Sequence, residues 1–371
     1  MKHGISLPIY NTSITEIPAL AVAADRAGFD SLWSYEVYSS PFVTLAAAAF
    51  NTRNITLGTG LATASTRHPM LIANAAADVD QYSGGRMLLG IGPGLPEVTI
   101  SAGASPAKGL SLMREYIDHV RACWDLLHTG EAGGFQGEFN SSVVTPAPPV
   151  GLFGRQLQRP RIPIYLAALR PKMIELAGEK AEGVLGCFYT PRFMDEVVRP
   201  RLATGAVRAG RPVSDIDVVS YIICSIHDDR EEAYRRARIH VGAYCATPGF
   251  DFLVAQHDLQ DDQAAVRQAV FSQGPVGLET TSDRLVEAFS ITGTPDEVRD
   301  KAKQYDGVLP HILLHPPSLL PVRPEETRES FAAILDLFGC DAAATDRSPT
   351  AEDSDTTVNP SAKPTAVKAG L

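Results

Sequence analysis

Scarcity narrows the possibilities first. Five cysteines occur in 371 residues (Cys123, Cys187, Cys224, Cys245 and Cys340), with no C-x-x-C pair and no histidine at metal-ligand spacing. That argues against a disulfide framework or a zinc module and leaves reduced thiols as the reading. Basic blocks are missing and the net charge is −10, which disfavours a nucleic-acid or anionic-membrane partner and favours a small molecule. No apolar run approaches the ~20 residues needed to span a bilayer, and the start MKHGISLPIYNTS turns polar too early for a signal peptide. A cytoplasmic protein is the expectation. The sequons at Asn54 and Asn140 are then chance matches.

What is present is an alternation. Short β-favouring runs (GISLPI, SLWSYE, ITLGTGLA, RMLLGIGPG, IPIYLAAL, GVLGCF, IDVVSYIICSI and HILLHP) are each followed by a helix-patterned run, several opening on proline, as in PFVTLAAAAFNT and PKMIELAGEKAEG. Parallel strands need a crossover to re-enter in the same direction. Eight such units in about 340 residues suit an α/β protein with a closed (β/α)8 TIM barrel better than an open doubly wound sheet. One domain over 1–340 is expected, with insertions at about 128–160 and 246–295 over the barrel mouth. From Asp341 the composition turns to Ala, Thr, Ser, Asp and Pro, so 341–371 is expected to be a disordered tail.

In such barrels chemistry sits where strands end. Pro171 pre-sets a helical turn whose free N–H groups favour an anion, and Arg170 and Lys172 at its lip would add charge-assisted hydrogen bonds. A simply capped helix with two solvated cations is the alternative. LGIGPG places Gly90, Gly92 and Gly94 at a strand end but fails the G-x-G-x-x-G spacing of a dinucleotide fingerprint. Glu36 ends the second strand, where a carboxylate could carry a proton or brace a loop. His68 and His315 could titrate near neutrality or serve as structural hydrogen-bonders.

The strings AGFDSLW, LAAAAFNTRNITLGTG, RHPMLIANAAADVDQYSGGRMLLGIGPG, MREYIDHVRACW and PIYLAALRPKMIELAGEKAEGV, in this order, resemble the bacterial luciferase-like flavin and deazaflavin oxidoreductases. YEVYSSPFVTLAAAAFNT, YTPRFMDEVVRP, AYCATPGF and ITGTPDEV are similar to an actinobacterial branch described as coenzyme F420-dependent. The resemblance runs over about residues 1–339. It implies a TIM barrel holding F420, or alternatively FMN, at its C-terminal mouth. The ring would lie against Thr59, Gly60, Leu61 and Gly92, and the phosphate chain on Ala168, Leu169, Arg170, Pro171 and Lys172. Related F420 enzymes carry a nonprolyl cis peptide behind the ring, and the matching bond here is Gly60–Leu61.

Members that oxidise a sugar phosphate carry an Asp-His pair after the second strand and a Glu past the fourth-strand glycines. Here those places hold Glu36-Val37 and Leu95, which argues against that substrate. Relatives often have Gly where Arg170 stands. The leading expectation is an F420-dependent oxidoreductase acting on C=C, C=N or C=O, with Glu36, Glu97 or a mouth tyrosine such as Tyr10 or Tyr189 delivering the proton. An FMNH2-dependent monooxygenase using dioxygen is the alternative, and a non-catalytic ligand-binding barrel the third reading. The resemblance also implies a homodimer.

Overall fold

Strands that are covered on both faces must be apolar almost throughout, and the eight runs meet that demand. In the computed structural model, which describes residues 1–8, 10–37, 39–101, 103, 109–129, 133–144 and 157–340, they form β1 (Lys2–Ser6), β2 (Ser31–Ser34), β3 (Thr56–Thr59), β4 (Met87–Gly92), β5 (Ile164–Ala167), β6 (Gly183–Cys187), β7 (Asp217–Ile226) and β8 (His311–His315). Each pairs parallel with the next, and β8 closes on β1 with Lys2 opposite His311 and Ile5 opposite Leu314. The molecule is a (β/α)8 TIM barrel. The tail expected to be disordered, 341–371, lies outside the described residues.

Proline sets where the outer helices begin. Pro41, Pro69, Pro171, Pro191 and Pro324 stand at the start of helices at the strand ends, where a missing N–H costs nothing. Gly28, at φ 75°, ends the first helix in the left-handed region that glycine occupies freely. The run 191–210, which reads as one helix, contains a π turn over Met194–Val198. Pro200 follows it and has no N–H to give the preceding turn.

Two regions differ from the sequence expectation in content. Within 128–160 an antiparallel hairpin joins Gly133–Gln136 to Ser141–Val144. Its turn is held by Glu115, whose carboxylate accepts the Glu138, Phe139 and Asn140 N–H groups at 2.6–3.1 Å. The 246–295 segment folds into helices Asp251–Ala255, Gln260–Gln273 and Asp283–Phe289, then a short strand, Ser290–Gly293, beside the end of β7. That extension is fastened to the rim by Phe188. Its ring stacks on Phe289 and meets Tyr244 and Phe250, while its backbone sits at φ 58°, a conformation bulky residues seldom adopt. Thr190 adds a hydrogen bond to His257 at 2.8 Å.

Candidate active site

Missing side chains shape one wall of the mouth. A Cβ on Gly58 would lie 2.3 Å from the Trp33 indole, and one on Gly90 would strike the Thr59 carbonyl at 1.8 Å. These glycines therefore let β2, β3 and β4 approach closely. Higher up, a Cβ on Gly92 would meet both Leu61 and Ala167 at 2.9 Å, so Leu61 in the loop after β3, Gly92 and Ala167 form one patch. The Gly60–Leu61 peptide is cis, as the resemblance implies. The loop is tied to β2 on both sides of that bond, by Gly60 N–H to Ser34 O and Glu36 N–H to Leu61 O. The Thr59 side chain is buried and donates to Gly90 O at 2.7 Å, so it faces strand β4 and offers no hydroxyl to the mouth.

The turn after β5 is held from beneath. Tyr189 O–H donates to the Ala168 carbonyl at 2.5 Å, and the Tyr189 N–H is fixed by the Ser220 hydroxyl at 3.0 Å. Burial raises the Tyr189 phenol further. The tyrosine that sequence placed among the proton carriers is thus a brace for the turn. Helix Pro171–Lys180 starts with no side-chain cap; the Arg170 carbonyl accepts from Met173 and Ile174. Arg170 is exposed and makes no ion pair among the described residues. Lys172 turns along its helix to Glu175 at 3.0 Å, where Arg201 and Arg208 also bind the same carboxylate at 3.0 and 2.9 Å. Burial alone would raise the Glu175 carboxyl, but hydrogen bonds from Lys172, Arg208 and Arg201 hold it down at about 2. Three cations on one carboxylate leave net positive charge on that flank.

Glu36 is heavily engaged. One carboxylate oxygen accepts the Thr63 N–H at 2.7 Å, and the other takes Arg67 Nε at 2.7 Å and Nη2 at 2.5 Å. Arg67 in turn gives its carbonyl to Tyr116 O–H. Glu97 lies in the short helix Pro96–Ser101, and its side chain is outside the described residues. Tyr10 stands exposed at the lip with its ring 5.4 Å from Tyr35. His68 caps helix Pro69–Tyr82 by accepting the Met70 N–H and reaches Ser141 O in the hairpin, a structural role.

Sequence reasoning missed most of a polar aromatic cluster under Tyr10. It comprises Tyr35, Tyr221, His240, Tyr244, His315 and Ser318. His315 packs against Tyr221 at 4.5 Å, His240 at 4.7 Å and Tyr35 at 5.7 Å between ring centroids. Ser318 N–H donates to His240 Nδ1 at 3.2 Å, and His240 Nε2 lies 3.3 Å from the Tyr221 hydroxyl, which also accepts from Tyr244 O–H at 3.3 Å. Burial lowers His240 to about 3 and His315 well below its usual range, so both rings are neutral at physiological pH. The one signal in the chain was the i, i+4 spacing of His240 and Tyr244 on a charged helix.

A second polar group lies at the opposite end of the barrel. Ser31 Oγ is 2.7 Å from His311 Nε2, His311 Nδ1 is 3.7 Å from Asp217, and Tyr165 O–H donates to Asp217 at 2.9 Å. Serine, histidine and aspartate are the residue types of a hydrolytic triad. Here the serine oxygen is already engaged, by His311 Nε2 and by the Trp33 indole N–H at 2.8 Å, so it serves the fold as a hydrogen-bonding partner. Burial would raise the Asp217 carboxyl, but His311 and Tyr165 outweigh it and hold the group below the usual range. No group of three or more His, Cys, Asp or Glu among the described residues could hold a metal ion. None of the described helices is long and apolar enough to cross a membrane.

The profile of the luciferase-like monooxygenase family matches residues 1–311. A 5,10-methylenetetrahydromethanopterin reductase of Methanolobus tindarius is 30% identical over 311 residues, covering 82% of this chain and 90% of that protein. An uncharacterised protein of Mycobacterium tuberculosis is 31% identical over 307 residues, covering 79% and 87%. Among solved structures, the coenzyme F420-dependent tetrahydromethanopterin reductase of Methanopyrus kandleri superposes with a TM-score of 0.75 at 26% identity, covering 90% of this chain and 97% of that one.

Proposed function

Because this chain belongs to the luciferase-like monooxygenase family, we propose that it is an F420-dependent oxidoreductase moving a hydride between the deazaflavin and a small organic substrate with a C=C, C=N or C=O bond. The observation that carries this reading is the pairing, in one mouth, of a side-chain-free wall at Gly92 with an uncapped helix start whose Arg170 is unpaired among the described residues. A flat ring needs the first and an anionic arm the second. Leu61, Gly92 and Ala167 would line the ring face; Ala168, Leu169, Arg170 and the first turn from Pro171 would hold the phosphate. When bound, the cofactor supplies a two-electron hydride centre that no side chain possesses. The chain's own contribution is positional. Tyr189 fixes the Ala168 carbonyl, and Glu36, through Thr63 and Arg67, fixes the loop that follows the Gly60–Leu61 bond. Lys172 serves mainly the Glu175 cluster and adds long-range positive charge.

Titration with F420 and with FMN, each oxidised and reduced, tests the reading. F420 is expected to bind, and Arg170→Glu to weaken it at least tenfold. Binding of FMN alone would favour the dioxygen-using monooxygenase, and binding of neither a non-catalytic barrel.

We propose the family-implied homodimer on one further feature. Helices Pro41–Asn51 and Pro69–Tyr82 expose Val43, Phe50, Leu71 and Tyr82, with the Phe50 and Tyr82 rings 4.7 Å apart. Exposed apolar side chains on two neighbouring helices suit a self-complementary contact. A monomeric mass in sedimentation equilibrium would refute it.

A further inference from the structure

Two polar atoms of the mouth cluster are left over by the fold. The Tyr35 hydroxyl and His315 Nδ1 are both buried and make no hydrogen bond of good geometry among the described residues; the Ser318 side chain and the Tyr10 backbone lie near enough to the Tyr35 oxygen to work against the larger, raising effect of burial on its phenol. Native interiors rarely tolerate such atoms, and each calls for an explanation. The remaining buried orphans do not form such a pair. His311 Nδ1 faces Asp217 at 3.7 Å, His119 stacks on Phe135 at the hairpin, and Thr12 stands in the loop after β1. Tyr35 and His315 instead touch one another, at the C-terminal ends of β2 and β8, directly under the exposed Tyr10.

Their surroundings fix what they offer. Ser318 N–H donates to His240 Nδ1, so the single proton of that neutral ring is on Nε2 and is given to Tyr221. Ser318 also shares a hydrogen bond between its hydroxyl and His315 Nε2 at 3.3 Å. A hydroxyl can donate or accept in this contact; we assign the serine as the donor, which puts the His315 proton on Nδ1, beside the Tyr35 O–H. That leaves two neutral donors side by side. The groups facing them are Tyr10, Tyr221, Tyr244, His240 and Ser318, and no charged side chain acts on either histidine. A desolvated site of this kind penalises an ion and suits a single uncharged acceptor.

We infer that Tyr35 O–H and His315 Nδ1–H form the recognition pair for an uncharged carbonyl-type oxygen of the substrate, and that carboxylates and phosphates are rejected there. This rests on the oxidoreductase reading above and names the substrate class. Two donors on one oxygen also polarise the bond that the hydride must enter or leave.

The test uses cyclohex-2-en-1-one and its charged counterpart cyclohex-1-ene-1-carboxylate as probes of the F420-loaded protein. The 15N-labelled His315 ring is observed by NMR, and cofactor affinity is followed separately by F420 fluorescence. The enone is expected to shift the His315 Nδ1 resonance and the carboxylate to leave it unmoved. Tyr35→Phe and His315→Leu should each weaken enone binding at least tenfold with F420 affinity intact, and His315→Asn, which retains an N–H near Nδ1, should restore part of it. Tyr35→Phe should also melt at or above the parent temperature, because an unsatisfied hydroxyl is removed. A lower melting temperature with unchanged enone binding would make Tyr35 a structural residue and overturn the inference. Loss of F420 affinity in Tyr35→Phe would place the pair on the cofactor and overturn it as well. Failure of F420 to bind the parent protein would instead strike the oxidoreductase reading, while the enone titration of the unloaded protein would still stand.

Discussion

The barrel carries tyrosine, histidine and hydroxyl side chains at both ends, yet the two ends are finished differently. At the closed end Ser31, Trp33, Tyr165, Asp217 and His311 face one another, with a carboxylate in their midst. At the mouth Tyr35, Tyr221, His240, Tyr244, His315 and Ser318 include no carboxylate, and two of their polar atoms lack a hydrogen-bond partner among the described residues, against one, His311 Nδ1, at the closed end, where a carboxylate stands 3.7 Å away. A network with an internal acceptor stabilises the fold. One with surplus donors is instead disposed toward something that is not protein. The same residue types thus serve opposite ends, and the decisive difference is one aspartate.

That contrast predicts where mutations act. Asp217→Ala would leave the Tyr165 hydroxyl without its acceptor and remove the carboxylate that lies 3.7 Å from His311 Nδ1. Stranding a buried donor costs about 1–3 kcal/mol, so the urea midpoint should fall. Cofactor affinity per folded molecule should hardly move. A variant of normal stability with impaired binding would reverse the assignment of the two ends.

A smaller effect follows from the mouth histidines. His240 and His315 refuse protons when folded, whereas in the unfolded chain each takes one up near 6.5. Below that pH the unfolded state binds more protons, so stability falls as the solution is acidified, and for His240 the loss continues down to its folded value of about 3. Each ring contributes a loss of about 1.4 kcal/mol per pH unit below its unfolded value. Urea unfolding at pH 7.5 and 5.5 should show the drop, and His240→Gln should flatten part of it. His3, His119 and His257 are lowered by burial too and supply a background slope. An equal slope in His240→Gln would mean that the ring is solvated.

The legibility of the chain follows the range of the interactions involved. All eight barrel strands could be read, because burial on both faces writes itself as a local apolar run and proline marks several of the following helices. The hairpin at 133–144 could not, since Gly133, Gly134 and Gly137 hid its alternation and its turn depends on Glu115 from a distant helix. Arg170 was legible as a lip cation. Lys172 was not seen to turn toward Glu175, whose other partners lie 26 and 33 residues away. Tyr189 looked like a proton carrier because nothing nearby in sequence reveals that its hydroxyl meets Ala168. The mouth cluster was least legible, for barrel closure alone brings residues 35, 221 and 315 together.

The smallest expected effect sharpens the comparison at Glu36, the residue nearest the mouth that does carry a carboxylate. If it braces the loop, Glu36→Gln keeps one oxygen for the Thr63 N–H and loses only the charge of a partly exposed pair with Arg67. Such pairs are worth about 0–1 kcal/mol, so stability and F420 affinity should each change by less than about fivefold in the corresponding constant. If Glu36 instead delivers the proton, removing its ionisable group should lower turnover by about 100-fold or more and abolish one limb of the pH profile. The geometry favours the first outcome, because three donors already occupy this carboxylate and tie it to the loop at Thr63 and to Arg67. Pre-steady-state hydride transfer measured in Glu36→Gln from pH 5 to 9 decides between them, and a lost limb would make Glu36 the proton carrier.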